Sequence, residues 1–124
     1  MICLDANVLI EIIVGRKNAG ACRDYINKTT EDLATTMLTV DLVMYYAEGK
    51  KLDTTPIEQF QRQFIWLPLV DADAEWAFRY FANKDFEDGL QIASAKREGC
   101  GAFATLDKKL AKKYAQELQI DLIA

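Results

Sequence analysis

Short apolar runs alternate along the chain with longer stretches of helical spacing. Ile2-Cys3-Leu4 has the pattern of a buried strand that ends at Asp5. Asn7 to Ile13 follows as a helix, with Gly15 as its stop. Ala19 to Asn27 predicts a second helix, and Leu33-Ala34-Thr35-Thr36 a second strand. Thr39 is placed to cap a helix running to Glu48, stopped by Gly49. Thr55-Pro56-Ile57-Glu58 has the chemistry of a helix start: a threonine cap, proline in the first turn, and a glutamate that reaches back. Phe64 to Val70 is an apolar run broken by Pro68 and predicts a strand. Asp73 to Ala82 predicts a helix, with Trp76, Phe78 and Phe81 among its bulky residues. Asp85-Phe86-Glu87-Asp88 opens another helix that ends before Gly99, and Ala102-Phe103-Ala104-Thr105 is the next strand. Leu110, Tyr114 and Leu118 repeat at helical spacing, and Ile120 to Ile123 forms a last strand.

Short buried strands alternating with helices imply an α/β domain with a mainly parallel sheet covered on both faces. No repeat, low-complexity run or linker divides the chain, so its 124 residues are expected to form a single domain, 1–124. Sheets of this kind bind ligands beyond the carboxyl ends of their strands. Asp5 and Asp107 both fall there, just after apolar strands.

Composition narrows the chemistry. The chain has no histidine, and Ser94 is its single serine, which excludes a Ser-His-Asp or Cys-His site and a His-ligated zinc. Cys3, Cys22 and Cys100 are odd in number and widely spaced, so a reducing, cytoplasmic setting is expected. No signal peptide is visible, and no stretch approaches the roughly 18 apolar residues of a membrane span. Carboxylates remain in quantity: 19 Asp and Glu against 15 Lys and Arg. Without imidazole or thiolate clusters, they favour a hard cation such as Mg²⁺. The net charge of −4 opposes bulk attraction to nucleic acid, so any RNA contact needs a local basic patch.

Taken singly, Asp5 and Asp107 read equally well as helix caps, and Asp85 with Asp88 as a capping pair. Taken together, four aspartates stand at strand ends and helix starts that a parallel sheet gathers at one edge. Like charges so gathered repel, and a divalent cation relieves that repulsion. A Mg²⁺ ion held by a few carboxylates keeps open water positions, can activate water and can stabilise charge on a phosphodiester.

Three pieces of the chain resemble the PIN-domain family, which includes the VapC-type toxins of toxin–antitoxin pairs. Ile2 to Ile10 is similar to the family's apolar strand followed by D-x-N-V-L-I. Asp85-Phe86-Glu87-Asp88-Gly89-Leu90-Gln91 is similar to its D-F-E-D-A-L-Q segment, with Gly89 where alanine is usual. Ala102 to Leu110 resembles its strand ending in T-x-D. The resemblance implies a three-layer α/β/α sandwich around a mainly parallel sheet of about five strands. It implies that Asp5, Asp88 and Asp107 are the metal-site carboxylates for Mg²⁺ or Mn²⁺, and that Asp85 is a further acid at the same edge. Asn7 and Thr105 match positions that order the aspartates by hydrogen bonds.

One piece departs from the family. A glutamate is usual early in the helix after the second strand, and an ungapped match puts Leu42 there. Asp41 is adjacent and stands as a partial substitute, although about 100° of helix rotation separates neighbouring residues.

The function implied is a toxin-type endoribonuclease: Asp5, Asp88 and Asp107 hold the metal, and Asp85 or Asp41 completes the site. An antitoxin partner and a homodimer follow from the resemblance alone. The alternative is a catalytically weak or inactive PIN-like module that binds RNA or protein. Phosphotransfer domains fit less well. A haloacid-type phosphatase needs an aspartate where Asn7 stands, and neither it nor a receiver domain gives the D-F-E-D piece a role.

Other residues have simpler readings. Lys108, Lys109, Lys112 and Lys113 make a solvated helix face, or else reach RNA phosphate from the rim; Arg16-Lys17 and Lys50-Lys51 carry the same two readings. Tyr45 and Tyr46 are expected to pack, with room for one to be exposed. Trp66 and Trp76 are expected in the core, and Cys100 in a turn.

Overall fold

The computed structural model describes residues 1–80 and 85–123. Five strands form one sheet: β1 (Ile2–Leu4), β2 (Leu33–Thr36), β3 (Ile65–Leu67), β4 (Ala102–Thr105) and β5 (Gln119–Leu122). Their order is β3-β2-β1-β4-β5, and every pairing is parallel. The chain winds outward from β1 to β3 on one side and then returns to the other side for β4 and β5. The winding therefore reverses between β1 and β4, and a crevice opens beyond their carboxyl ends.

Helices cover both faces. On one face α1 (Ala6–Val14), α2 (Ala19–Lys28), α3 (Met37–Gly49) and α4 (Thr54–Gln61) pack against Ile2, Leu4, Ala102 and Ala104. On the other, α6 (Phe86–Arg97) and α7 (Lys108–Lys113) meet Cys3, Ala34, Leu67 and Phe103, with Trp76 of α5 (Asp71–Tyr80) alongside. The alternation Ile2/Cys3/Leu4 thus feeds two cores from one central strand, as a pleat of period two requires. All three cysteines are free and buried. Among the described residues no helix is long and apolar enough to cross a membrane.

Several local expectations are corrected. Thr36, not Thr39, caps α3: its hydroxyl accepts from Thr39 N at 3.3 Å. Asp53, not Thr55, caps α4, accepting from Thr55 N at 3.1 Å, and Glu58 pairs forward with Arg62. Helix α7 stops at Lys113, so Tyr114 caps its end and Leu118 lies beyond it. Strand β3 ends at Leu67, because Pro68 has no amide for the ladder. Helix α5 begins at Asp71, two residues before the expected start, and the expected Phe81 and Ala82 lie outside the described residues. Trp66 and Trp76 are half-buried, and Trp76 packs at the margin of the second core. Tyr45 and Tyr46 are both exposed.

Candidate active site

Asp5 sits at the first turn beyond β1, anchored by its amide, which donates to Ala104 O of β4 at 2.8 Å. It occupies the N-cap position of α1, yet its side chain makes no capping bond. One carboxylate oxygen accepts from the Thr105 hydroxyl at 2.7 Å, and the other from Gln91 Nε2 at 3.1 Å. The side chain is buried, 4% exposed. Two neutral donors hold the carboxylate in place; desolvation raises its pKa, its hydrogen bonds oppose the rise, and the nearby Asp107 charge adds to it.

Thr105 and Gln91 are the two hubs that hold it. The Thr105 oxygen, fully buried, also accepts from Asp107 N at 3.0 Å and from Asn7 Nδ2 at 3.4 Å. Gln91 Oε1 accepts from Ala6 N and from the Thr39 hydroxyl, each at 3.1 Å. Gln91 of α6 therefore joins the start of α1 to α3 behind Asp5. Its place in the helical motif was visible in the sequence, but its role was not, because its partners lie 52 and more residues away.

Asp88 lies in the first turn of α6 and lines the same cavity as Asp5, with a volume of about 330 Å³. Burial comes first among the causes that push its pKa up to about 7; the charges of Asp5, Asp107, Asp85 and Glu87 add to it. Asp107 belongs to the same electrostatic group, but it flanks the cavity rather than lining it. One of its oxygens caps α7, accepting from Lys109 N at 2.8 Å and Leu110 N at 3.1 Å. For Asp107 the capping role and the site role coexist.

The remaining acids separate. Asp85 stands at the N-cap position of α6 and pairs with Lys113, which therefore is not merely a solvated lysine. Asp41 is exposed on α3 and does not line the cavity, whereas half-buried Leu42 forms part of its wall. Glu87, which sequence reasoning missed as a site residue, also lines the cavity.

Among the described residues no three acidic or cysteine side chains stand close enough to hold a metal ion together. The donor set nevertheless suits Mg²⁺ or Mn²⁺. Such ions take oxygen ligands, and Mg²⁺ commonly binds through one or two carboxylates with water completing the shell. Asp5 and Asp88 are the two residues that could supply that pair, and Asp107 has one oxygen uncommitted to capping.

Residues 2–116 match the PIN domain. The chain belongs to the PIN-domain family. PIN domains are generally nucleases, and the parallel sheet with flanking helices is the fold of this one. The chain is similar to a toxin–antitoxin complex from Klebsiella pneumoniae, with TM-score 0.78 and 16% identity over 100% of this chain and 98% of that one. It is also similar to FitAcB from Neisseria gonorrhoeae, with TM-score 0.73 and 22% identity over 98% and 96% of the two chains. A third similar structure is FitAB bound to an IR36 DNA fragment, with TM-score 0.66 and 20% identity over 97% and 93%. These likenesses are of PIN fold. No curated protein matches the sequence.

Proposed function

We propose that this PIN domain is a divalent-metal-dependent endoribonuclease, the toxin-type member of a toxin–antitoxin pair. The observation that carries the reading is the shared cavity of Asp5 and Asp88 at the point where the sheet's winding reverses. Asp5 and Asp88 would hold Mg²⁺ or Mn²⁺, with Asp107 assisting from the flank. When bound, the ion supplies water activation and charge stabilisation for phosphodiester hydrolysis. Thr105 and Gln91 fix the direction of the Asp5 carboxylate, so its position does not depend on the ion. Lys113 offsets Asp85 and lowers the repulsion that Asp88 feels. Similarity to a toxin–antitoxin complex supports an antitoxin as protein partner, and a homodimer is the assembly we expect.

The test is cleavage of single-stranded RNA in Mn²⁺ by the wild type, Asp5→Asn and Asp88→Asn. We expect cleavage by the wild type and at least about a hundredfold loss in each variant. Cleavage that survives both changes would sink the assignment.

A second reading is favoured by Leu42. No carboxylate of α3 lines the cavity, so the site has fewer anionic ligands than the family pattern supplies. A PIN-like module that binds metal and RNA without hydrolysis fits that feature. Metal binding by calorimetry with no cleavage would select it.

A further inference from the structure

Arg16, Tyr45 and Tyr46 line the same cavity as Asp5 and Asp88, and hydrolysis leaves all three without a role. Tyr45 is 72% exposed and Tyr46 38%. Their rings meet edge to face, 6.1 Å between centroids at 85°. The Arg16 guanidinium lies over the Tyr46 ring, 5.9 Å from its centroid. Among the described residues Arg16 forms no ion pair, although it shares the cavity with carboxylates.

The loop that carries Arg16 is fixed. Gly15 turns the chain with φ of 77°, and the Arg16 amide donates to Glu11 O at 3.0 Å. The Arg16 carbonyl accepts from Ala19 N, and the Glu11 carboxylate accepts from Asn18 N, both at 3.0 Å. A rigid turn thus holds one unpaired cation beside an aromatic face. Among the described residues Arg16 is the single cation lining the cavity. A polyanion approaching Asp5 and Asp88 meets repulsion unless such a cation receives it.

We propose that Tyr45 and Arg16 form a nucleotide subsite for single-stranded RNA. The base next to the scissile phosphodiester stacks on Tyr45. Arg16, steadied by Tyr46, hydrogen-bonds the adjoining phosphate. Guanidinium groups suit phosphate oxygens, and an exposed ring accepts any unstacked base. A duplex keeps its bases stacked on each other and cannot use such a ring, so the subsite selects single strands. This inference rests on the ribonuclease reading for its substrate.

The experiment measures binding of an end-labelled single-stranded oligoribonucleotide by anisotropy in EDTA, where hydrolysis is silent. A second set of probes carries one abasic nucleotide at successive positions. We expect Tyr45→Ala to weaken binding about tenfold and Tyr45→Phe to leave it unchanged. One abasic probe should bind wild type and Tyr45→Ala alike. Arg16→Ala should reduce the slope of log affinity against log salt by about 0.7, the value for one phosphate on a single strand. Equal affinity of wild type and Tyr45→Ala for the intact probe overturns the subsite. So does a loss that is the same for every abasic probe. If Tyr45→Ala instead converts a dimer to a monomer with RNA affinity unchanged, the face is a contact between copies and the proposal is wrong. A parallel Mn²⁺ cleavage assay separates the two readings. Wild-type cleavage with an unchanged KM for Tyr45→Ala overturns the subsite alone. Abasic-sensitive binding without cleavage keeps the subsite and overturns hydrolysis.

Discussion

Asp88 concentrates the repulsion of the site, and its titration reports it. Without metal its carboxyl is pushed up to about 7, first by burial and then by its acidic neighbours. The unfolded chain ionises it near the ordinary value of 3.8. Between these two values the folded state holds a proton that the unfolded state has lost, so stability falls as pH rises through this window. In EDTA, the melting temperature should therefore decline from about pH 4 to about pH 7, apart from other groups. Asp88→Asn should flatten the decline and raise the melting temperature at pH 8, and differential scanning calorimetry across pH reads both. A decline of unchanged size in Asp88→Asn would remove Asp88 as its source. Gln91 is the other residue with a sharp expectation. Gln91→Leu leaves Ala6 N and the Thr39 hydroxyl without their acceptor and Asp5 with one donor fewer. Urea unfolding should show a loss of roughly 1–3 kcal/mol. Asp5 was legible in the sequence because a strand end announces it. Gln91 was not, since a glutamine inside an amphipathic helix gives no local sign that three distant groups converge on it.

At the scale of elements, α3 and α6 set what the site contains. Leu42 of α3 lines the cavity, so Leu42→Glu should bring a carboxylate to Asp5 and Asp88. We expect a loss of about 1 to 2 kcal/mol in EDTA, recovery in Mn²⁺, and faster RNA cleavage. Loss that Mn²⁺ leaves uncorrected would mean that the new side chain is held in the core. Gly89 of α6 lies against α5. A Cβ built there would stand 3.0 Å from Ala77 Cβ and 3.2 Å from Ala77 Cα, and the latter is backbone. The helix preference for alanine favours Gly89→Ala by about 1 kcal/mol, while forced separation of two packed helices costs about 1–3. We expect a net loss of about 1 kcal/mol, read by urea unfolding; a gain would show that α5 yields. The strands and most helix spans were legible from periodicity. The caps at Thr36 and Asp53 were misplaced by a few residues, because several neighbouring hydroxyls and carboxylates could serve and only the backbone angles choose. Helix α7 was overextended because Tyr114 and Leu118 keep helical spacing while both pack on the α6 face through a turn.

For the whole molecule, the parallel order β3-β2-β1-β4-β5 makes one edge receive the ends of β1 and β4 together. Alternating apolar runs and helices predicted the parallel sheet, but strand order and the separate fates of Asp41 and Asp107 depend on packing that no local pattern encodes. A ligand bound to the folded state alone stabilises it, by about 2.7 kcal/mol at one hundred times its Kd. Mg²⁺ or Mn²⁺ should thus raise the melting temperature, and less so in Asp5→Asn. Identical melting curves with and without millimolar metal would remove the site.

The bond from Thr105 to Asp5 closes a span of 100 residues. A ribosome adds residues at roughly 5–20 per second, so roughly 5 to 20 seconds pass between making Asp5 and making Thr105. Throughout that interval β1 lacks β4, one of its two neighbours in the sheet, and Asp5 lacks the hydroxyl that orients it. The growing chain carries its aspartates as scattered charges. This order of assembly is a delay written into the topology: the Asp5 carboxylate is oriented only after β4 has followed β1 out of the ribosome.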